Sequence, residues 1–477
     1  NANHIFNAIH SSMRQWGSSL NHNGMSFFLA TVPEGTQLYH GTSKEERVDG
    51  MEWLAFEPEH SLVFARGRPG PGGPGGGRPG KPPEEAQDFP PLPPLGSQHP
   101  LHESPGDGQP PRFIAGWLHT YKTNKDFRLL YVDGMSAGKT DNGTLDSQDF
   151  VLLNETEPHR YMWEYERARG MCEMAQKEWE GRIDGILRME AGFEIILCNF
   201  SKDVDLVRAT RAAGPDDRND LGDFSGKMGH FRYMQAVTDR YPGIGGERVR
   251  LDYDHFVSAF AYPLDLFLLA SGNDEEPPLP RLLNVSFDNL ASIRSAVRNM
   301  ILSHDAVTAA RESFDWQRTA DMIVARYSKP LQYLTSDPIR TNTTLFSIYL
   351  ETLLRPFIDY DARPPFAEAA RCSSQFVSNV PAANSSLAAG AVRAIADRIC
   401  SVLSSALAAA GLVSAVSALD GLVDYLQWTS WKQCRGCGDD EVCFVPIWPF
   451  GAIEDHKRPR CLDADMLGHR MGYWGQM

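Results

Sequence analysis

Between Arg66 and Arg112 the chain carries 14 Pro and 11 Gly in 47 residues. Such a stretch has too little apolar surface to offset the entropy lost on ordering it, so it reads as a loop or linker without a core of its own. Its PLPPL segment suits a polyproline ligand, but a plain surface insertion explains it as well. Strand-like sequence stands on both sides: MSFFLATV, GTQLYHG and WLAF before it, FIAGWLHTY and DFRLLYVDG after it. The stretch is therefore expected to be an insertion inside one domain rather than a boundary.

The rest of the pattern divides the chain. Ile5, Ile9, Met13 and Trp16 recur at helical spacing, with Gly17 as the expected stop. An amphipathic helix is expected from His159 to Ile183, with Met171, Cys172, Ala175, Trp179 and Ile183 on one side, and FEIILCNF (193–200) reads as a buried strand. After Asp288, Leu290, Ile293, Val297, Met300 and Ile301 share a helix face, and helical sequence continues from there. The expected fold class is α+β. A mixed α/β domain occupies 1–205 with the insertion at 66–112, a polar connection 206–250, a mainly helical domain 251–433 and a Cys/Trp-rich cap 434–477. Ile399–Leu419 contains no charge, but it is built from Ala and Ser and is followed by Asp420 and Asp424. A helix packed between helices is expected there rather than a stable membrane span.

A net charge of −15 without a basic cluster argues against nucleic acid, whose affinity comes mostly from phosphate neutralisation. The chain opens on Asn1 rather than Met, as a processed secreted protein does. Asn142, Asn154, Asn199, Asn284, Asn342 and Asn384 head glycosylation sequons. Cys172, Cys198, Cys372, Cys400, Cys434, Cys437, Cys443 and Cys461 form an even set, expected to be disulfide-bonded in an oxidising compartment, with the connectivity open. The tail spacing of the last four also suits a four-thiolate Zn²⁺ site, which the sequons make the lesser reading. The expectation is a secreted glycoprotein.

Several motifs carry chemistry on paper. Asp133-Gly-Met-Ser-Ala-Gly138-Lys139-Thr140 nearly matches a phosphate-cradling loop, but Asp133 replaces the first Gly and turn-like sequence follows, so a plain loop is expected. Glu164, Glu166, Glu190 and Glu194, or Asp146 and Asp149, can supply the carboxylate pair that glycan hydrolysis needs. Asp252-Tyr-Asp254-His255 gathers oxygen and imidazole ligands but reads first as a solvated turn, and His230 and His456 as structural. No metal site is expected. The sequence shows no H-E-x-x-H pattern.

Leu38-Tyr39-His40-Gly41-Thr42-Ser43 ends a strand, and Trp53-Leu-Ala-Phe56 and Ser61-Leu-Val-Phe64-Ala65 follow it. Over residues 25 to 200 this order resembles the ADP-ribosyltransferase fold. The resemblance implies NAD as substrate, with Tyr39, His40 and Gly41 meeting its ribose and carboxamide and Trp53 or Phe56 stacking on nicotinamide. It also implies a late-strand carboxylate that polarises the ribose hydroxyl. Glu194 is the preferred candidate, with Glu190 and Asp149 as others. The plain reading of Tyr-His-Gly is packing and a turn. GMEWLAF, LLYVDGMSAGKT, RMEAGFEIILCNF and the tail WTSWKQCRGC resemble secreted proteins of filamentous fungi. If active, the chain would cleave the nicotinamide–ribose bond. The alternatives are a glycoside hydrolase with a glycan substrate and a non-catalytic cell-wall or secreted binding protein.

Overall fold

The strands that flank the Pro/Gly-rich stretch pair with one another and with later strands in one mixed sheet. The computed structural model describes residues 1–65, 116–155, 164–212, 227–267, 279–362, 367–380, 384–468 and 470–475, and the expected insertion at 66–112 lies outside them. The sheet contains β1 (Asn23–Val32), β2 (Gln37–Thr42), β3 (Glu52–Ala55), β4 (Trp117–Thr123) and β5 (Phe127–Gly134). It also contains β6 (Gly185–Met189), β7 (Phe193–Leu197), β8 (Val204–Arg211), β9 (Arg250–Leu251) and β10 (Val257–Ser258). Their order is β10-β1-β5-β6-β7-β3-β2-β4-β8, with β9 also on β1. Among the described residues β5–β6 is the one parallel pair. The late hairpin β6–β7 is thus inserted between β5 and β3, which places β7 directly beside the strand after the Tyr-His-Gly sequence.

Helices cover this sheet and build the second half. They are α1 (Ala2–Ser11), α2 (Gln15–Leu20), α3 (Pro58–Leu62), α4 (Glu164–Lys177), α5 (Phe200–Asp203), α6 (Lys227–Thr238) and α7 (Phe287–Ser303). There follow α8 (Ala306–Glu312), α9 (Trp316–Leu334), α10 (Asp337–Arg340), α11 (Thr343–Leu354), α12 (Ala367–Ser374), α13 (Leu387–Ala408) and α14 (Leu412–Leu426). The class is α+β: an N-terminal mixed sheet and a mainly helical C-terminal region. The expected face of α7 is buried at Leu290, Ile293, Val297, Met300 and Ile301. One hydrophobic cluster runs through both parts, because α1 packs on α9 and α13 while β9 and β10 return to β1.

Three local expectations need correction. The opening helix is two helices, broken at Met13 (φ 55°), and Gly17 lies inside α2 rather than ending it. A Cβ at Gly17 would stand 2.4 Å from Ser11 Oγ, so the glycine permits the tight corner between the two helices. The helix expected over 159–183 is described over Glu164–Lys177 and ends in a left-handed turn at Glu180 and Gly181 that delivers the chain to β6. The uncharged Ala/Ser segment is split between α13 and α14, and no helix among the described residues is long and apolar enough to cross a membrane.

The cysteines pair as Cys172–Cys198, Cys372–Cys400, Cys434–Cys443 and Cys437–Cys461. This leaves no four-thiolate set in the tail. The first bridge ties α4 to the end of β7 and the second joins α12 to α13. The tail does not cap the helices alone. Trp448 Nε1 donates to the Lys139 carbonyl (3.1 Å), and Thr140 Oγ1 to the Trp474 carbonyl (2.6 Å), so it also clamps the loop after β5.

Candidate functional site

β6 and β7 are apolar strands interrupted by charge. Arg188 and Glu194 lie directly opposite in their antiparallel register, which puts the two side chains on one face of the sheet. Both are fully buried. Arg188 Nε donates to Glu194 Oε1 (2.9 Å), Nη1 to Gln148 Oε1 (3.0 Å), and Nη2 to Glu164 Oε1. Gln148 comes from a π-helical turn over Ser147–Leu152 and Glu164 from the first turn of α4. Lys139, from the loop after β5, contacts Glu190 Oε1 (2.5 Å) and lies 3.7 Å from Glu164 Oε2. Arg167 extends the network between Glu164 Oε2 (3.3 Å) and Asp149 Oδ1 (2.7 Å).

Three cations here face four carboxylates. Burial opposes charge on Glu164, but Arg188, Lys139 and Arg167 outweigh it and hold that carboxyl well below the ordinary range. Glu194 is lowered in the same way: burial raises it, and Arg188 with His60 more than reverses the effect. Glu190 moves the other way, pushed up to about 8 by burial that Lys139 only partly offsets. Burial thus moves Glu190 above the ordinary carboxyl range while Arg188 moves Glu194 below it. Pairs of carboxyls driven apart in this manner are the usual arrangement for acid and base roles.

The β2–β3 side of Glu194 is built differently. Glu194 pairs with Ala55 across β7–β3, and Ala55 with Tyr39 across β3–β2, so the Tyr-His-Gly strand end sits two strands from the late glutamate. His40, Trp53 and His60 form a chain of rings leading to it. His40 and Trp53 are 5.0 Å apart, Trp53 and His60 6.1 Å, and His60 Nε2 is 4.0 Å from Glu194 Oε2. His40 Nδ1 bonds the Trp53 carbonyl (2.9 Å), which makes its Nδ1 the protonated nitrogen of a neutral ring. Burial, with the nearby His119, holds His40 down to about 3. His60 Nδ1 meets the Tyr233 hydroxyl (2.9 Å). Yet His40 Nε2, Trp53 Nε1, His60 Nε2, Ser61 Oγ and His119 Nε2 are all buried without a hydrogen-bond partner. Each such group costs about 1–3 kcal/mol, and their concentration between β2, β3 and α3 calls for a functional reason.

The fold thus gathers His40, Trp53 and Glu194, adds Glu190 and Glu164, and leaves Tyr39 two strands from Glu194. It separates others. Phe56 follows β3 and lies under Arg248, 5.8 Å from the guanidinium carbon. Gly41 faces α3: a Cβ there would be 2.0 Å from the Ser61 carbonyl oxygen, so its bare Cα serves helix packing. Asp146 holds Arg281 (2.9 Å) and Asp149 holds Arg167, so these two do not act as a pair, and Glu166 is exposed. Lys139 of the phosphate-loop-like run is 3% exposed and committed to Glu190.

Asp252 and Asp254 brace a turn, binding His255 Nδ1 (2.8 Å) and Trp316 Nε1 (2.9 Å) respectively. His456 Nε2 meets the Leu20 carbonyl (3.1 Å), and His230 packs on Phe450 at 4.4 Å. Asn154, Asn199, Asn284 and Asn342 are exposed, whereas Asn142 and Asn384 are half-buried and hydrogen-bonded.

The sequence does not single out His60, Arg188, Gln148 or Tyr233, and it sets Lys139 in a phosphate-loop-like run rather than beside Glu190. For Arg188 the signal was present, a charge at an inward position of the apolar run GILRM. Ligand atoms of His60, Glu190 and Glu194 lie within 4.8 Å of one another, a set able to ligate a cation, although Lys139 and Arg188 already neutralise its carboxylates.

No solved structure matches the chain. The chain is 25% identical to the uncharacterized protein YOR389W of Saccharomyces cerevisiae, over 95% of its own length and 83% of that protein. It is 32% identical to the uncharacterized protein YPL277C of the same yeast, over 45% of its own length and 44% of that protein. Residues 1–225, which carry β1 to β8 and the residues from His40 to Glu194, match the family described as the YPL277C N-terminal domain.

Proposed function

We propose that this chain is a secreted glycoprotein enzyme that cleaves a glycosidic bond at the junction of β2, β3 and β7, and that the bond is the nicotinamide–ribose bond of NAD. The observation that carries this reading is the run of unpartnered buried nitrogens on His40, Trp53 and His60 leading to an ionised Glu194. His40 Nε2, the lone-pair nitrogen of its ring, would accept and Trp53 Nε1 would donate, which suits a ligand carrying both donors and acceptors, as NAD does, and both residues lie on β2 and β3, where the ADP-ribosyltransferase resemblance expects the dinucleotide. Trp53 and His40 would hold NAD, and Glu194, steadied by Arg188, would accept a ribose hydroxyl hydrogen bond. Its charge would stabilise the cationic sugar as nicotinamide leaves and water or an acceptor nucleophile bonds to the ribose carbon and gives up its proton. His60 and Tyr233 cover Glu194, so substrate entry requires them to turn aside. Disulfides and exposed sequons support an oxidising compartment.

Nicotinamide release tests this directly. The wild-type chain is expected to release nicotinamide from NAD, and Glu194→Gln and His40→Gln to lose release by about 100-fold or more while remaining folded. No release, together with no NAD-induced rise in melting temperature, would sink the reading.

A second reading has its own observation. Carboxylate oxygens of Glu190 and Glu194 lie within 4.8 Å of each other, and burial raises Glu190 while Arg188 lowers Glu194, as an acid and its carboxylate partner in a glycosidase require. Under it the substrate is a glycan, and Glu190→Gln abolishes hydrolysis while leaving NAD untouched.

A further inference from the structure

A cavity of about 470 Å³ opens where α1, the start of β1, the end of α14 and residues 260–267 and 279–280 meet. That volume suits a small polar molecule. It is separate from the β2–β3–β7 junction and shares no residue with it.

The lining includes two aromatic pairs, Phe260 with Phe267 and Trp428 with Trp431. His4 stacks on Phe260 at 4.8 Å, and burial holds its imidazole down to about 4, so the ring is a neutral surface at pH 7.

Two polar groups in the lining are incompletely met. Asp133, at the end of β5, is 6% exposed and accepts from the Tyr131 hydroxyl (3.0 Å). No Lys, Arg or His among the described residues forms an ion pair with it, and Lys432 in the same lining donates to the His456 carbonyl (2.6 Å) instead. Trp428 is 2% exposed, and its indole N–H has no acceptor. A carboxylate without a cation and a donor without an acceptor are both unfavourable when buried. Placed in one cavity with aromatic rings in its lining, they describe the complement of a ligand. The carboxylate asks for a cation and the indole for an oxygen, and ring faces attract an ammonium group.

We propose that this cavity binds a small primary amine that also carries oxygen acceptors, of the size of an amino sugar, with its ammonium on Asp133 and an oxygen on Trp428 Nε1. A neutral sugar of the same shape satisfies the indole but leaves Asp133 unpaired. The site therefore discriminates by charge.

Glucosamine, with glucose as its uncharged counterpart, is the probe. Each is titrated against the full chain at pH 7, following tryptophan fluorescence and melting temperature. Glucosamine is expected to quench fluorescence, raise the melting temperature and bind at least roughly tenfold more tightly than glucose. Asp133→Asn keeps the Tyr131 contact and is expected to erase that preference. Trp428→Phe keeps an aromatic ring in the lining and is expected to weaken glucosamine about threefold or more, so it carries the test if the Asp133 variant does not fold. Equal affinity for the two sugars, no binding of glucosamine at millimolar concentration, or full affinity in Trp428→Phe would each overturn the proposal. Nicotinamide release is unaffected by any of these outcomes, so the two sites fail or stand separately.

Discussion

Glu194 stands between two buried polar regions that meet their charges in opposite ways. On the β6 side, Arg188, Lys139, Arg167, Glu164, Glu190 and Asp149 each contact an opposite charge. On the β2–β3 side, His40 Nε2, Trp53 Nε1, His60 Nε2 and His119 Nε2 are buried without a hydrogen-bond partner among the described residues, and His40 Nε2 lies 3.6 Å from Glu52 Oε2. The paired region fixes geometry, because removing one member strands another charge in the interior. The unpaired region contributes nothing to stability that apolar side chains of similar shape would not supply. Its polar atoms are explained by something that binds there.

The sharpest way to break this contrast is Arg188→Leu. It removes the cation in contact with Glu194 and one of the three around Glu164, and is expected to cost about 3–5 kcal/mol, read by urea unfolding. A loss below about 1 kcal/mol would mean that the paired region positions side chains without stabilising them.

Acid comes next. Burial holds His22 and His40 down to about 3 and His10 to about 4, below their ordinary 6.5. Their stabilising share is complete above 6.5 and drains as pH falls towards those values. Burial raises Asp133 to about 6 and Glu190 to about 8, so their share is complete at low pH and drains as pH rises through those values. Melting temperature should therefore peak near roughly pH 7, with the steeper fall on the acid side. A flat profile down to about pH 5 would show that the histidines are not buried neutral.

Gly41→Ala probes the unpaired region from behind, since its methyl would meet the α3 backbone. Overpacking of this kind costs about 1–3 kcal/mol. A neutral result would mean that α3 can lift from β2, which would open a route to His40.

The smallest stability effect is expected for Trp53→Phe, which removes an indole N–H that has no acceptor. The change should stay within about 1 kcal/mol by thermal melt, while nicotinamide release drops. Equal losses of stability and release would make Trp53 a core residue only.

Legibility in the sequence followed the range of the interactions. FEIIL and FRLLYVDG were readable as strands because their apolar runs are local, and α7 because its face repeats every three or four residues. Glu194 was readable as a candidate because a charge opens the strongest late strand. His60 was not. It lies in PEHSL, an ordinary helix start, and only the packing of α3 brings it to Glu194. Lys139 was misleading, since its Gly-Lys-Thr setting suggests phosphate, while the fold sends the side chain to Glu190.

The sequence by itself determined the strand and helix content, the interruption of the sheet by a Pro/Gly-rich stretch, and an even cysteine set suited to oxidation. Each follows from composition or short-range periodicity. Only the tertiary structure decided that β6 and β7 enter between β5 and β3, which cysteines pair, and which charges share a partner. It also decided that Asp133 and Trp428, 295 positions apart in the chain, line one cavity. Those outcomes depend on contacts between distant segments, and a buried charge takes its pKa and its role from whatever neighbours the packing supplies.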